Sequence, residues 1–268
     1  MRIVVTVKYV PDINAERRFE GCRVDRDPSV GTLNELDENA IEAALRILDG
    51  LSDDDRAGSE VVALSVAPAT GDVALRKAFQ MGVDRGVRVT DDALAGSDYF
   101  GTAAALAAGV RRLEAEGAPV DLVITGMAAL DGLGSVVPAL VAAELGRPAL
   151  TLAKSVSLDG GTLSITRETD EATESMSAPL PAVLSVADTA NTPRMPNFKL
   201  IMAARSKEIE AWSAADLGLE GAAVGAAGAR TEALSAAERP PRPEVELVTD
   251  KGSGGAALAE YLIRHELV

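Results

Sequence analysis

Four short apolar runs punctuate the first half of the chain. Ile3-Val4-Val5-Thr6-Val7, Val61-Val62-Ala63-Leu64-Ser65-Val66, Gly86-Val87-Arg88-Val89 and Leu122-Val123-Ile124-Thr125 are near-continuous rather than alternating, the pattern of strands buried on both faces of a parallel sheet. The segments between them carry helical period. Ala40, Ile41, Ala44, Leu45 and Leu48 form one apolar stripe behind two candidate caps, Asn34 and Asp37. Asp72 to Met81, stopped by Gly82, and Tyr99 to Leu113 predict two further helices. Strand and helix in alternation predict a doubly wound, mostly parallel α/β sheet of Rossmann-like type.

Beyond Pro148 the pattern changes. Two short strand-like segments flank Asp159-Gly160-Gly161, a turn sequence that predicts a hairpin. Pro181-Ala182-Val183-Leu184-Ser185-Val186 predicts another buried strand. Residues 218–245 are rich in Ala, Gly, Glu and Pro without sustained apolar period and predict a linker or extended arm. Ala256 to Leu267 regains an amphipathic helical pattern; such a tail helix docks on a second subunit or packs back on its own domain. The expected organisation is a nucleotide-binding α/β domain over residues 1–217, then an arm and C-terminal helix over 218–268 that pack on a partner subunit.

Composition narrows the chemistry. The 268 residues include 47% hydrophobic and 25% charged ones, ordinary values for a globular chain with a sizeable core. No apolar run approaches the roughly 20 residues of a membrane span, and the N-terminus lacks the apolar core and cleavage site of a signal peptide. A soluble, cytoplasmic protein without direct membrane insertion is expected. Cys22 is the single cysteine and His265 the single histidine, so intrachain disulfides and thiolate metal sites are excluded, and triads or His-metal clusters would have to use one near-terminal imidazole. A net charge of −15 has the wrong sign for a nucleic-acid backbone. The expectation is a binding or carrying protein with no catalytic residue and no metal site of its own, whose chemistry comes from a cofactor or partner.

Three places offer such binding. The strand Leu122 to Thr125 ends in Gly126 and is followed by Met127-Ala128-Ala129-Leu130-Asp131-Gly132-Leu133-Gly134-Ser135 and an apolar helix from Val136 to Leu145. A loop there presents unpaired backbone N–H groups and a favourable helix dipole to a phosphate, with glycines allowing close approach; an ordinary glycine-rich turn is the alternative. No Gly-Lys-Ser/Thr follows, and Val137 stands where a dinucleotide fingerprint has its third glycine. Second, Thr6 and Lys8 to Asp12 follow the first strand, where this kind of sheet opens its crevice; Asn34 lies before the first helix, either as a cap or reading a nucleotide. Third, Pro193-Arg194-Met195-Pro196-Asn197-Phe198-Lys199-Leu200-Ile201-Met202 is a proline-stiffened, apolar segment suited to docking. Ile201 and Met202 are expected to face the core.

Taken together these segments resemble the electron transfer flavoprotein β subunit, in register from Met1 to about Leu219 and again in the tail. The opening Val-Lys-x-Val-Pro-Asp is Val7 to Asp12, and the Leu-Asn element before an acidic, Ala-rich helix is Leu33-Asn34 to Leu48. Arg76-Lys77-Ala78-Phe79-Gln80-Met81-Gly82-Val83-Asp84 follows the family string, as do Arg167-Glu168-Thr169-Asp170, Leu180-Pro181-Ala182-Val183 and Asn191-Thr192-Pro193-Arg194.

The resemblance implies a non-enzymatic electron carrier. It implies an α subunit holding most of a shared FAD, AMP bound in the β subunit, flavin dehydrogenases such as acyl-CoA dehydrogenases as donors, and a downstream oxidoreductase as acceptor. Carried over by position, the cofactor contacts are Thr6, Asn34, Val66, Gly126, Asp131, Gly132, Gly134, Ser135, Val136 and Val137; the partner-docking residues are Pro193, Arg194, Pro196 and Phe198, with Phe198 at the family's apolar anchor. The loop departs from many members in carrying Leu133, Gly134, Ser135, Val136 and Val137 where polar side chains are usual, a change that spares backbone contacts to a phosphate. Two other readings compete: a bifurcating subunit with its own FAD, whose loop string is matched only at Asp131, Gly132 and Val137, and a flavin-independent nucleotide-binding regulatory module.

Overall fold

In the computed structural model, which describes residues 1–268 apart from 17, 27–28, 220–223, 243–244, 246 and 250–251, the apolar runs become the centre of a parallel sheet. The chain begins with β1 (Arg2–Thr6), the short strands β2 (Tyr9–Pro11), β3 (Phe19–Glu20), β4 (Arg23–Val24) and β5 (Gly31–Leu33), then α1 (Glu35–Asp49), α2 (Asp53–Ala57) and β6 (Glu60–Val66). It continues through α3 (Asp72–Met81), β7 (Arg85–Val89), α4 (Tyr99–Ala115), β8 (Leu122–Gly126) and α5 (Val137–Leu145). Strands β9 (Ala149–Ala153), β10 (Ser155–Asp159), β11 (Thr162–Glu168), β12 (Thr173–Pro179) and β13 (Ala182–Val186) follow, then α6 (Phe198–Ser206), β14 (Ile209–Trp212), α7 (Gly225–Gly228) and α8 (Gly254–Arg264).

Seven strands pair in the order β14-β7-β6-β1-β8-β13-β9, every neighbouring pair parallel. The near-continuous runs are explained by burial on both sides. Ile3, Val5, Val61, Ala63 and Ile124 join the core under α1 and α3, while Val4, Val62, Leu64 and Val123 join the core under α4 and α5. The predicted doubly wound sheet is therefore the observed one. From β1 the chain moves to β6 by way of α1, and it returns to β8 on the other side of β1 by way of α4 on the opposite face. The winding reverses between β1 and β8, which is where such a sheet opens a crevice at its carboxyl edge.

The hairpin is present: β10 and β11 pair antiparallel around Gly160 (φ 52°) and Gly161 (φ 81°), left-handed residues that glycine adopts without strain. A third strand, β12, which carries Thr173, Ser175 and Ser177 along its exposed face, completes a small antiparallel sheet. Helix α3 spans the predicted Asp72 to Met81 and ends on left-handed Gly82.

Three local expectations are corrected. Asn34 precedes α1, but its side chain makes no cap bond, and Asp37 lies inside the first turn. Met202 is 44% exposed and does not face the core, because α6 buries Ala204 instead. The predicted linker includes a packed helical stretch, while its residues 220–223 and 243–244 lie outside the described residues. Val224 is buried in the core beneath α4, and α7 follows it, because Gly225 adopts a left-handed φ of 70° that lets its backbone touch the carbonyl of Ala93.

The chain divides into two units, Met1–Leu234 and Ser235–Val268. The second contains α8, an apolar-rich helix with Glu260 and Arg264 as its charged residues and none of whose residues is buried. Among the described residues no helix is long and apolar enough to cross a membrane.

Candidate nucleotide crevice

Three adjacent strands deliver the residues of the crevice to one edge. Val66 ends β6, Thr6 ends β1 and Gly126 ends β8, and the parallel register places them at the same end of the sheet. The loop from Met127 to Val136 then leads into α5, with Val136 as its N-cap residue and Pro138 in the first turn. Pro138 has no N–H to lose there.

The loop's backbone is unusual. Leu133 and Ser135 hold left-handed φ values of 48° and 54° without being glycine, a conformation side chains disfavour and functional loops retain. Ser135 is followed by right-handed Val136 (φ −100°, ψ −20°). Successive residues of opposite hand turn their N–H groups to one side and form an anion-binding concavity. Among the described residues none accepts from the backbone N–H of Gly134, Ser135, Val136 or Val137. The apex, Leu133 to Val136, is largely exposed. Converging free N–H groups at the start of a nine-residue helix are what a phosphate needs.

The other singled-out residues support this loop from outside. Asn34 is fully buried and spends its carboxamide on the loop: its Nδ2 donates to the Ala128 carbonyl at 2.9 Å, and its Oδ1 accepts from the Leu130 N–H at 3.0 Å. Gly126 serves packing. A β-carbon there would stand 2.6 Å from the Leu36 carbonyl and 2.7 Å from Asp37 Oδ1, so glycine lets α1 press against the end of β8. Gly134 lies under Tyr99, where a β-carbon would be 2.5 Å from the ring.

Charge in the crevice is arranged around two carboxylates. Asp131 accepts from Lys8 Nζ at 2.7 Å and from Arg26 at 2.7 Å while almost wholly buried. Burial alone would push its carboxyl up, but the two cations outweigh burial and hold it below the ordinary range. One anion between two cations leaves a surplus positive charge beside the loop. Asp37 is the opposite case. Burial pushes its carboxyl up to about 7, against hydrogen bonds from Asn34, Lys8 and Gly126 that favour the charged form.

The segment from Asp188 to Phe198, where docking is expected, is built on α1. Asn39 donates to the carbonyls of Asp188 (3.1 Å) and Asn191 (2.9 Å), and Asn191 Nδ2 donates back to the Asn39 carbonyl at 3.0 Å. Arg194 pairs with Glu42 at 2.7 Å and Asp49 at 2.9 Å. Burial raises Glu42, but hydrogen bonds from Arg194 and Arg46 more than offset that and leave it lowered. Pro193 and Pro196 are half-buried beside this lacing. Phe198 opens α6 and is 78% exposed, with Met195 beside it still more so.

Sequence reasoning missed three features: the Lys8–Asp131–Arg26 cluster, the lacing of the Asp188–Arg194 segment to Asn39 and Glu42, and Tyr99 over Gly134. The second had a signal. Asn39 and Glu42 are buried polar residues three apart in an amphipathic helix, and buried polar groups need partners.

Comparison with known proteins gives a consistent result. Residues 22–217 match the family described as Electron transfer flavoprotein domain. The chain is 39% identical to the electron transfer flavoprotein subunit beta of Mycobacterium tuberculosis over 268 residues, covering 99% of each, and to that of Mycobacterium leprae to the same extent. It is 31% identical over 258 residues to the caffeyl-CoA reductase-Etf complex subunit CarD of Acetobacterium woodii, covering 93% of this chain and 92% of the relative.

Proposed function

The chain belongs to the electron transfer flavoprotein family as a β subunit, with the family's role in electron transfer, and from that premise we propose the finer assignment. It pairs with an α subunit that carries most of a shared FAD, binds AMP in its own crevice, and serves cytoplasmic flavin dehydrogenases, such as acyl-CoA dehydrogenases, and a downstream oxidoreductase. It acts as a carrier subunit rather than an enzyme. The flavin supplies the redox chemistry when bound.

The observation that carries the nucleotide assignment is the pair of left-handed residues Leu133 and Ser135 ahead of α5, with N–H groups from Gly134 to Val137 that no described residue accepts from. They fit a monoester phosphate. Thr6 and Val66 stand on neighbouring strands at the same edge to line the crevice, while Gly126, Asn34 and Asp131 shape its floor and charge. Exposed Phe198, on a segment pinned by Arg194 and stiffened by Pro193 and Pro196, supports dehydrogenase docking: little freedom remains to be lost on contact.

The test is co-purification with the α subunit followed by nucleotide analysis of the heat-released supernatant. About one FAD and about one AMP per heterodimer are expected from the single anion loop and the shared flavin. Two FAD per heterodimer would replace this reading with a bifurcating subunit, and no adenine nucleotide beyond FAD would remove AMP from it.

A further inference from the structure

Two adjacent residues at the start of α4 face different clients. Asp98 caps the helix with Oδ1, which accepts from the N–H groups of Phe100 and Gly101 at 3.0 Å each. Its Oδ2 reaches the other way and accepts from the N–H of Arg230 at 2.7 Å, the N–H of Thr231 at 3.0 Å and the Thr231 hydroxyl at 3.1 Å. The Arg230 guanidinium lies 4.8 Å from the centre of the Phe100 ring. Ser97 adds a further tie by accepting from the Gly225 N–H at 2.7 Å while donating to the Leu94 carbonyl, and Ala226 N–H donates to the Ala95 carbonyl at 2.9 Å. Residues 224–231 are thus fixed to the Ala93–Asp98 segment, only a few residues before the first unit ends at Leu234.

The next residue, Tyr99, points at the nucleotide loop. A β-carbon on Gly134 would stand 2.5 Å from both the phenolic carbon and oxygen of Tyr99, and one on Gly132 would stand 3.6 Å from the oxygen. The phenolic end of the ring therefore lies against the turn whose flanking residues, Leu133 and Ser135, hold left-handed backbone. Two non-glycine residues in that conformation persist only where surroundings hold them there, and Tyr99 is the side chain in contact with the glycine between them.

We propose that the Asp98–Tyr99 step couples the root of the C-terminal arm to the anion-binding loop: Tyr99 is a positioning residue for the loop, and anchorage of residues 225–231 on Asp98 sets how firmly a nucleotide phosphate is held. The inference rests on the reading of that loop as a phosphate site. Its consequence is reciprocal. Whatever engages the arm and steadies its root favours nucleotide binding, and a bound nucleotide steadies the arm's root.

The experiment uses the full chain and two readouts, equilibrium dialysis with labelled AMP and hydrogen exchange of backbone amides. Asp98→Ser keeps a helix-capping side chain but is too short to hold Arg230 and Thr231. It is expected to speed exchange over residues 225–231 and also over 132–137, and to weaken AMP about fivefold, the lower end of ordinary coupling between sites. Tyr99→Ala should speed exchange over 132–137 and weaken AMP about tenfold, while Tyr99→Phe, which keeps the ring, restores both. Exchange over 132–137 that stays at the wild-type rate in Asp98→Ser while 225–231 is released overturns the coupling. Unchanged loop exchange in Tyr99→Ala overturns the positioning role. If wild-type chain binds no AMP yet both variants speed loop exchange, the phosphate reading fails and the coupling stands.

Discussion

Replacing Asp37 by asparagine should remove a component of stability that falls as pH rises, the reverse of what the ion-paired carboxylates of this chain do. Asp37 sits where the first turn of α1 meets the end of β8, and its Oδ2 accepts the Lys8 N–H at 2.8 Å. Burial raises its carboxyl from 3.8 to about 7. Below the lower value both folded and unfolded chains hold the proton. Between the two values only the folded chain does, so stability declines with each unit of rising pH; above about 7 both states are ionised and the loss is complete. A gap of roughly three pH units at about 1.36 kcal/mol each sets an upper limit of roughly 4 kcal/mol.

Asp131 and Glu42 act in the opposite sense, since their lowered values give stability that is present above the unfolded carboxylate range and lost as pH falls through the folded one. The wild-type profile mixes both kinds, and the difference between wild type and Asp37→Asn isolates one. The amide oxygen can still accept from Lys8. Urea denaturation of both proteins between about pH 4.5 and 8.5 should show the variant gaining on wild type by at least about 2 kcal/mol toward high pH. A difference that stays flat would mean that Asp37 ionises at its ordinary value and that the junction of α1 with β8 is wet.

Three further substitutions probe the crevice and the docking segment. Phe198→Ala removes a ring that is 78% exposed, so the thermal midpoint and flavin content should hardly move while the dehydrogenase KM rises about tenfold, equivalent to roughly 1.4 kcal/mol; an early-melting variant that couples normally would refute the docking role. Gly134→Leu drives side-chain atoms into Tyr99 and should reduce AMP recovered from purified protein, with wild-type recovery counting against the loop as the phosphate site. Asn34→Ala strands the Ala128 carbonyl and the Leu130 N–H and should cost roughly 1–3 kcal/mol in chemical denaturation; a smaller loss with full AMP content would mean that the loop holds its own shape.

The central sheet was legible because each of its strands between β1 and β8 is a short apolar run between helices of clear period, and Gly82 and the Gly160-Gly161 pair mark their turns with residues that tolerate positive φ. β12 and β14 were not legible, since one carries polar residues along an exposed face and the other lies at the sheet's edge, where the alternating hydrophobic signal weakens. The arm's root failed for a related reason. Ala- and Gly-rich sequence carries little periodicity, and what orders residues 224–231 is a set of bonds to Ser97 and Asp98, more than a hundred residues earlier. Likewise the loop at Gly126 was visible as a candidate, but the jobs of its neighbours were not. Asn34 has the sequence position of a cap and the structural role of a loop brace, a choice that depends on what the fold brings opposite it.

That division bears on how the loop could hold a ligand. Leu133, Gly134, Ser135, Val136 and Val137 offer few side-chain polar groups, so any phosphate they hold is held by backbone N–H, and the geometry of that backbone becomes the recognition element. A backbone cradle cannot enforce its own left-handed residues, and here the enforcement comes from elsewhere in the chain: Asn34 from the start of α1 fixes the loop's entry at Ala128 and Leu130, and Tyr99 from the start of α4 presses on Gly134. The two braces belong to helices on opposite faces of the sheet. The proposed anion site is therefore held across the layers of the fold, which ties its shape to the packing of both helices on the sheet, and substitutions at Asn34 or Tyr99 are expected to weaken AMP more than side-chain changes at the exposed apex, Leu133 or Val136, as AMP recovered from purified protein would show.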